Sequence, residues 1–538
     1  MASGRVIGIY PPAERDHRLR LFQALEEAFP VRFEGRREGN WENLDALIII
    51  DKPVAESSLK DVACFTALTE NYKTDLRSGP IDFTNASELD PRLRSRSLHE
   101  SRAHGLLPIP IGPEDEVLAL SGGDPVWIRR RTARCLIYSV SLAPSNLSMN
   151  GTLRDHLRGG RFFDLLPLIH FLREVTSAEA WAPPPLRATF VFDDPNLHCV
   201  SYGFIDFRLL AEHAKIHNYH AAIATIPFDA WYASPRVREI FHKNDRWLSL
   251  LIHGNDHVRG ELDQGHSERR VAASLAQALL RIAAFERRTG LSVSRIMVPP
   301  HGECSEFAIH QMLRLGYDGV CISRPYPWLE RPPSEKLLAQ WWPSDIVAGV
   351  PVFSRYSLHQ HWDDIVIRAF LNQPIILYGH HSDLSGGMDI LERAAEQING
   401  LGEVSWMSLG QIARSSYATR TQGNSLRVQL LSRHVMIKKK AKEQSVLVSV
   451  GPGWEGSDQD IVKCGSLREP LTSILGESYV RIPVSETRNL EITLEHSDSI
   501  DPGSSAGSSM RLWPAMRRVM TESRDRIQPV AARVKSIV

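Results

Sequence analysis

The stretch Thr189-Phe190-Val191-Phe192-Asp193-Asp194 constrains this chain more than any other. A short, mostly apolar run of β-favouring residues leads straight into two adjacent carboxylates. Such a run reads as a buried strand of a parallel sheet. Acidic side chains at its C-terminal end would stand at the mouth of an α/β barrel, where the βα loops build active sites. Adjacent carboxylates repel when both are ionised, and a metal bound by one of them is an economical compensation. Taken alone, the same residues also suit an Asp-Asp-Pro turn.

A second apolar strand shifts the balance. Leu248-Ser249-Leu250-Leu251-Ile252 ends in His253-Gly254-Asn255-Asp256-His257. Two imidazoles four residues apart, after a strand and beside a glycine that frees the backbone, can converge on one ion. With Asp194 they form a two-histidine, one-carboxylate set that leaves positions open for water and substrate. For such ligands a divalent metal is expected, with zinc the default.

These residues resemble the motifs of the polysaccharide deacetylases with a NodB-type domain, the family 4 carbohydrate esterases. The Thr-Phe-Asp-Asp motif of that family is matched by Phe192-Asp193-Asp194, and its His-Ser/Thr-x-x-His motif by His253 to His257 with Gly254 in second place. Val298-Pro299-Pro300-His301-Gly302 stands where the family has Arg-Pro-Pro-aromatic-Gly. Ile375-Ile376-Leu377-Tyr378-Gly379-His380-His381 stands where it has an apolar strand ending in Leu-x-His. The motifs follow family order over roughly residues 185–415. The resemblance implies a metal-dependent hydrolase that removes an acetyl group from an N-acetylated (or O-acetylated) sugar. It assigns Asp194, His253 and His257 to the metal, Asp193 to the general base and His380 to the acid that protonates the leaving amine. His301, in the place of the motif's aromatic, is expected to bind substrate or serve as an extra ligand, and Tyr326 and Trp328, loop aromatics on which a sugar can stack, join His381 as further substrate-binding candidates. The family arginine that steadies the catalytic aspartate is absent from the third motif, where Val298 takes its place. Arg295, three residues back on a strand, would point to the other face about 10 Å away. That departure keeps a second reading open: a catalytically weakened deacetylase-like barrel that binds carbohydrate or serves as a scaffold in polysaccharide synthesis. His359-Gln360-His361 with Asp363 forms a rival cluster, expected to be a solvent-facing loop.

At 538 residues the chain exceeds the roughly 250–300 residues at which a single core stops growing, so several domains are expected. Lys plus Arg balances Asp plus Glu, which gives no pointer to nucleic acid. No apolar run reaches the roughly 18 residues of a membrane span. The start runs into Val6–Tyr10 and then Pro11-Pro12, a first strand rather than a signal peptide. Six scattered cysteines without Cys-x-x-Cys suggest reduced thiols and a cytoplasmic location.

The fold expected is α/β. Residues 1–180 alternate strands (Val6–Tyr10, Leu47–Ile50, Val117–Leu120, Cys135–Val140) with helices. This pattern implies a doubly wound parallel sheet, flavodoxin-like, that resembles the class I glutamine-amidotransferase-like domains. Those domains need a cysteine at a strand–helix elbow, and Ser121-Gly122-Gly123-Asp124 offers none. Trp181-Ala182-Pro183-Pro184-Pro185 makes a stiff linker. Residues 186–415 read as strand–helix units closing into a barrel of seven or eight strands, with a long helix from Ser267 to Thr289 stopped by Gly290. Aromatic residues including Trp231 and Tyr232 fall in its loops, where sugar rings can stack. Residues 425–500 alternate apolar and polar positions and predict a small antiparallel β domain. The 501–538 segment combines a Gly/Ser-rich linker with a tail carrying Arg517, Arg518, Arg524 and Arg526. It is expected to be disordered, or a short basic amphipathic helix limited by Pro514 and Pro529 that contacts a membrane surface or a protein.

Overall fold

Strands apolar on both faces must be covered on both. Ala46–Ile50 (Ala-Leu-Ile-Ile-Ile) and Leu186–Asp193 are buried at every residue, and each lies inside a larger sheet flanked by helices. The structure, a computed structural model, describes residues 4–537 except 53, 55–58, 60–61, 68–76, 133–134, 150, 158–159, 179, 259, 263–266, 324–344, 348, 360–361, 439–444, 452–453, 455–459, 472, 475–476, 479, 484–488 and 506–511. The chain divides into two units. One comprises Met1–Ala182, Arg331–Trp342 and His361–Leu371, and the other Pro183–Glu330, Pro343–Gln360 and Asn372–Val538.

The first unit is built on strands β1 (Arg5–Tyr10), β2 (Val31–Gly35), β3 (Ala46–Ile50), β4 (Ala63–Ala67), β5 (Arg77–Phe83), β6 (Ser97–His104), β7 (Asp115–Ser121), β8 (Asp124–Arg131) and β9 (Leu136–Val140). Their order in the sheet is β2-β1-β3-β4-β9-β8-β7-β5-β6. The first five are parallel, as the alternating pattern predicts. The other pairings are antiparallel, which corrects the expectation of a doubly wound parallel sheet. The reason is local: Gly122 and Gly123, at φ 59° and 93°, form a tight hairpin turn that sends β8 back beside β7. A hairpin stands where an amidotransferase elbow would be, and that resemblance has no support.

The second unit carries the site. Its sheet uses β10 (Leu186–Asp193), β11 (Ala221–Thr225), β12 (Leu248–His253), β13 (Ile296–Val298), β14 (Gly319–Ile322), β15 (Val350–Ser354), β16 (Tyr356–Ser357) and β17 (Ile375–Gly379). These eight are parallel, in the order β15-β14-β13-β12-β11-β10-β17-β16, while Asp345–Val347 adds an antiparallel edge beside β15 and Val404–Trp406 pairs with the start of β10. Val191, Ala222, Leu251, Val298, Cys321, Phe353 and Ile376, one from each of seven strands, meet in a single buried cluster, so the sheet is curled. Among the described residues it does not close into one continuous ladder, as the barrel expectation required. Instead the stretch from Val350 to Ser357 pairs with β14 through its first half and with β17 through its second. The change of partner falls at Arg355, whose N–H still donates to Ile322 O. Helix α1 (Phe207–Ile216) follows β10, α2 (Glu268–Thr289) follows β12, and α3 (Asp389–Asn399) follows β17. Gly290 ends α2 at φ 74°, while the Ser267 side chain makes no capping bond.

Beyond the barrel-like sheet, residues 417–496 form two four-stranded sheets packed around Leu426, Val428, Leu430, Val446, Val448, Leu490, Ile492 and Leu494. The alternating positions are the core, but the pairing of Ser425–Leu430 with Ser445–Val450 is parallel, not antiparallel. Helix α4 (Leu512–Ile537) continues through Pro529, so proline does not limit it as expected. No helix among the described residues is long and apolar enough to cross a membrane. Ile492 is fully buried between the two sheets. Truncating it to alanine is expected to cost about 2–5 kcal/mol, seen as a lower urea midpoint for this part of the chain.

Candidate functional site

The two neighbouring carboxylates at the end of β10 meet different partners. Asp193 closes the strand, and Asp194 turns into the left-handed region at φ 83°, with its N–H donating to Ala224 O. The turn throws the side chains apart. Asp194 Oδ1 faces His257 Nε2 at 3.1 Å and His253 Nε2 at 3.5 Å. The three ligating atoms form one cluster in which each residue offers a single atom. His253 Nδ1 lies 2.8 Å from Val298 O, so its N–H is spent there and Nε2 presents a lone pair to the cluster.

The donor set fits a divalent metal. Asp194 Oδ1 is buried and has no hydrogen-bond partner among the described residues. Two imidazole lone pairs and a carboxylate lone pair aimed at one point repel unless a cation or proton lies between them. Burial alone would raise the Asp194 carboxyl, but His253 and His257 more than offset it and hold it far below the carboxylate range. Burial pulls the His257 imidazole down to about 3, which keeps it neutral and able to ligate. His253 is also disfavoured by burial, yet Asp193 and Asp194 raise it above its ordinary value.

Backbone geometry holds the histidine loop. Gly254 and His257 both have positive φ, 59° and 53°. The buried Glu261 carboxylate accepts N–H bonds from Asn255 (3.2 Å), Asp256 (2.8 Å) and His257 (3.0 Å), so three orphan amides share one acceptor. A Cβ on Gly254 would stand 2.5 Å from Pro300 Cγ and 2.7 Å from Glu261 Oε2. This close packing explains why glycine occupies a place where the resembled motif has serine or threonine.

Asp193 is 4 % exposed and is held by Arg355 through a bidentate pair, Nη1–Oδ1 at 2.6 Å and Nη2–Oδ2 at 2.8 Å. Arg355, itself 2 % exposed, lies over the Tyr378 ring at 4.3 Å. Burial opposes ionisation of Asp193, and Arg355 followed by His253 outweighs it, so the carboxyl titrates below its usual range. Sequence reasoning missed this residue because it sought the guanidinium on β13. There Val298 is core, and Arg295 pairs with Glu286 at 2.6 Å. The available signal was an arginine directly after the mostly apolar strand Val350–Ser354.

The remaining expected residues scatter around this centre. His380 is exposed at the end of β17, and its charge acts on Asp193. His301 is exposed at φ 62°, its ring 5.6 Å from that of His257. His381 is buried, stacks on Phe204 and faces Asp525 at 3.6 Å. Tyr326 and Trp328 lie outside the described residues. In the rival cluster, His359 is exposed and pairs with Asp383 at 3.1 Å, while His361 lies outside the described residues.

Helix α4 was also missed as part of this region. Arg517 donates to His257 O at 3.0 Å, and Arg518 to Asp229 Oδ2 at 2.5 and 2.9 Å. Asp525 accepts from Tyr202 Oη at 2.9 Å, and Arg526 pairs with Glu522 at 2.8 Å. The tail arginines expected to meet an external surface are thus engaged within the chain, so that expected contact has no support.

No protein-family model and no curated protein matches the chain. Solved structures do resemble it in outline. Agd3, described as a novel carbohydrate deacetylase, is 8 % identical over 91 % of this chain and 98 % of its own, with a TM-score of 0.46. A family 4 carbohydrate esterase from Streptomyces lividans, in complex with acetate, is 12 % identical over 42 % of this chain and 93 % of its own, at 0.26. The polysaccharide deacetylase Bc1974 from Bacillus cereus is 12 % identical over 41 % and 91 %, at 0.24. At these identities and scores the likeness assigns no chemistry, which rests on the side chains above.

The crowding around Gly254 gives a direct expectation. Gly254→Ala should leave the chain folded, by circular dichroism, but weaken zinc binding about tenfold to a hundredfold in chelator competition, the range for disturbed outer-shell support.

Proposed function

We propose that this chain is a metal-dependent hydrolase that removes an acetyl group from an N-acetylated (or O-acetylated) sugar or glycan. The observation that carries the reading is the division of labour between adjacent carboxylates: Asp194 joins His253 and His257, while Asp193 is kept off that cluster by Arg355. A divalent ion, zinc by preference, held by Asp194, His253 and His257 would polarise an acyl oxygen and lower the pKa of water. Asp193, kept ionised, accepts the water proton. His380, exposed across from it, donates a proton to the leaving nitrogen. Trp231 and Tyr232, 62 % and 42 % exposed on the loop after β11, offer apolar faces to a sugar ring. The weakened-scaffold reading drew its weight from valine in the third motif. Arg355 supplies the missing guanidinium from another strand, which favours the hydrolase.

The test is metal analysis together with acetate release from acetylated amino-sugar oligomers. His253→Ala/His257→Ala should hold one equivalent less metal than wild type and release no acetate. Asp193→Asn should keep its metal and lose about 10²–10⁴-fold in rate. A metal-loaded Asp193→Asn variant of undiminished activity would overturn the assigned base. Arg355→Ala leaves a buried carboxylate without its partner and should cost about 3–5 kcal/mol in stability as well as activity.

Acidification should release the metal, because protons compete for the imidazole and carboxylate lone pairs that would bind it. Metal occupancy measured by equilibrium dialysis from pH 8 to 5 should fall across that interval in wild type.

A further inference from the structure

A second cluster of metal-ligating side chains lies away from the Asp194 centre. His213 and His217 stand four residues apart at the C-terminal end of α1, on the same face of the helix, with ring centroids 4.2 Å apart. Glu392, in the first turn of α3, reaches across to them, with Oε1 3.7 Å from His217 Nδ1. The three ligating atoms lie within 4.8 Å of one another. We propose that His213, His217 and Glu392 form a second divalent-metal site, one that takes zinc and clasps α1 to α3.

Five features support it. Two imidazoles at helical i, i+4 spacing with a carboxylate from another element are a sufficient protein ligand set for zinc, with the fourth position left to water. All three side chains are half-buried, so short rotamer movements can draw their atoms to the roughly 3.3 Å separations that 2.0–2.1 Å zinc bonds require. His213 Nδ1 lies 3.0 Å from Tyr219 Oη, a partner that can take the Nδ1 proton and leave Nε2 for a metal. The C-terminal end of α1 carries the negative pole of its helix dipole, which favours a cation beside His213 and His217. The two helices are already joined, since the Asn399 side-chain Nδ2 at the end of α3 donates to His217 O at 3.3 Å.

The placement gives the clasp a use. Helix α1 follows the loop that begins at Asp194, and α3 follows the loop that begins at His380. A metal joining the two helices ties together the supports of both loops without touching either.

Zinc stoichiometry and melting temperature of the full chain test this. Wild type should hold two equivalents against a chelator of micromolar affinity. His213→Ala/His217→Ala should hold one, and His253→Ala/His257→Ala should hold one. Zinc should raise the melting temperature of His253→Ala/His257→Ala, and adding the His213→Ala/His217→Ala changes should abolish that shift. Glu392→Gln, a milder change, should weaken the second equivalent at least tenfold while acetate release persists. If His213→Ala/His217→Ala binds as much zinc as wild type, or His253→Ala/His257→Ala binds none, the second site is overturned. Because the two sites are removed separately, failure of the Asp194 centre would show as a loss only in the other arm.

Discussion

Two carboxylates side by side at the end of a buried strand cannot both remain ionised without help, and the surroundings of this site answer to that constraint. The chain separates them with one residue of left-handed backbone and gives each a different counter-charge. Asp193 receives a rigid guanidinium fork whose two donors match its two oxygens. Asp194 receives two imidazoles that lack an obligatory proton and so invite a metal. The histidine loop, its Glu261 anchor and the glycine that permits both follow from the need to bring those rings to one oxygen.

Much of this was legible because it is local. The strand Leu186–Asp193 announces itself by its mostly apolar run, and the convergence of Asp194, His253 and His257 follows from two carboxylates and two histidines placed at the same ends of β10 and β12, parallel strands with only β11 between them. The alternation of Leu426, Val428 and Leu430 likewise identifies a core face. What escaped was non-local. Arg355 matters only because its strand changes partners at that residue, and no spacing rule reports a change of partner. Strands Arg77–Phe83 and Ser97–His104 are largely polar, so they carried no strand signal, and the antiparallel half of the first sheet went unseen with them. In the tail, arginines among apolar residues looked like a surface for something else. Their partners, Asp229 and Asp525 among them, stand on this chain, one of them close to three hundred positions away, beyond the reach of any local pattern.

The departure at the third motif shows how a chemical requirement can be kept while its address changes. Val298 fills the curled core beside Ile296 and Cys321. The buried aspartate is then served by Arg355, which directly follows β15, two strands along the sheet from β13. What persists is a charge at a place, and the place can be reached from more than one strand.

Arg355 lies 162 positions after Asp193. Of the two strands paired with β10 near Asp193, β11 precedes Arg355 in the chain and β17 follows it. Until the stretch around Arg355 lies down between β14 and β17, that carboxylate has only water or a proton to neutralise it. Ion pairing and sheet completion are therefore one event.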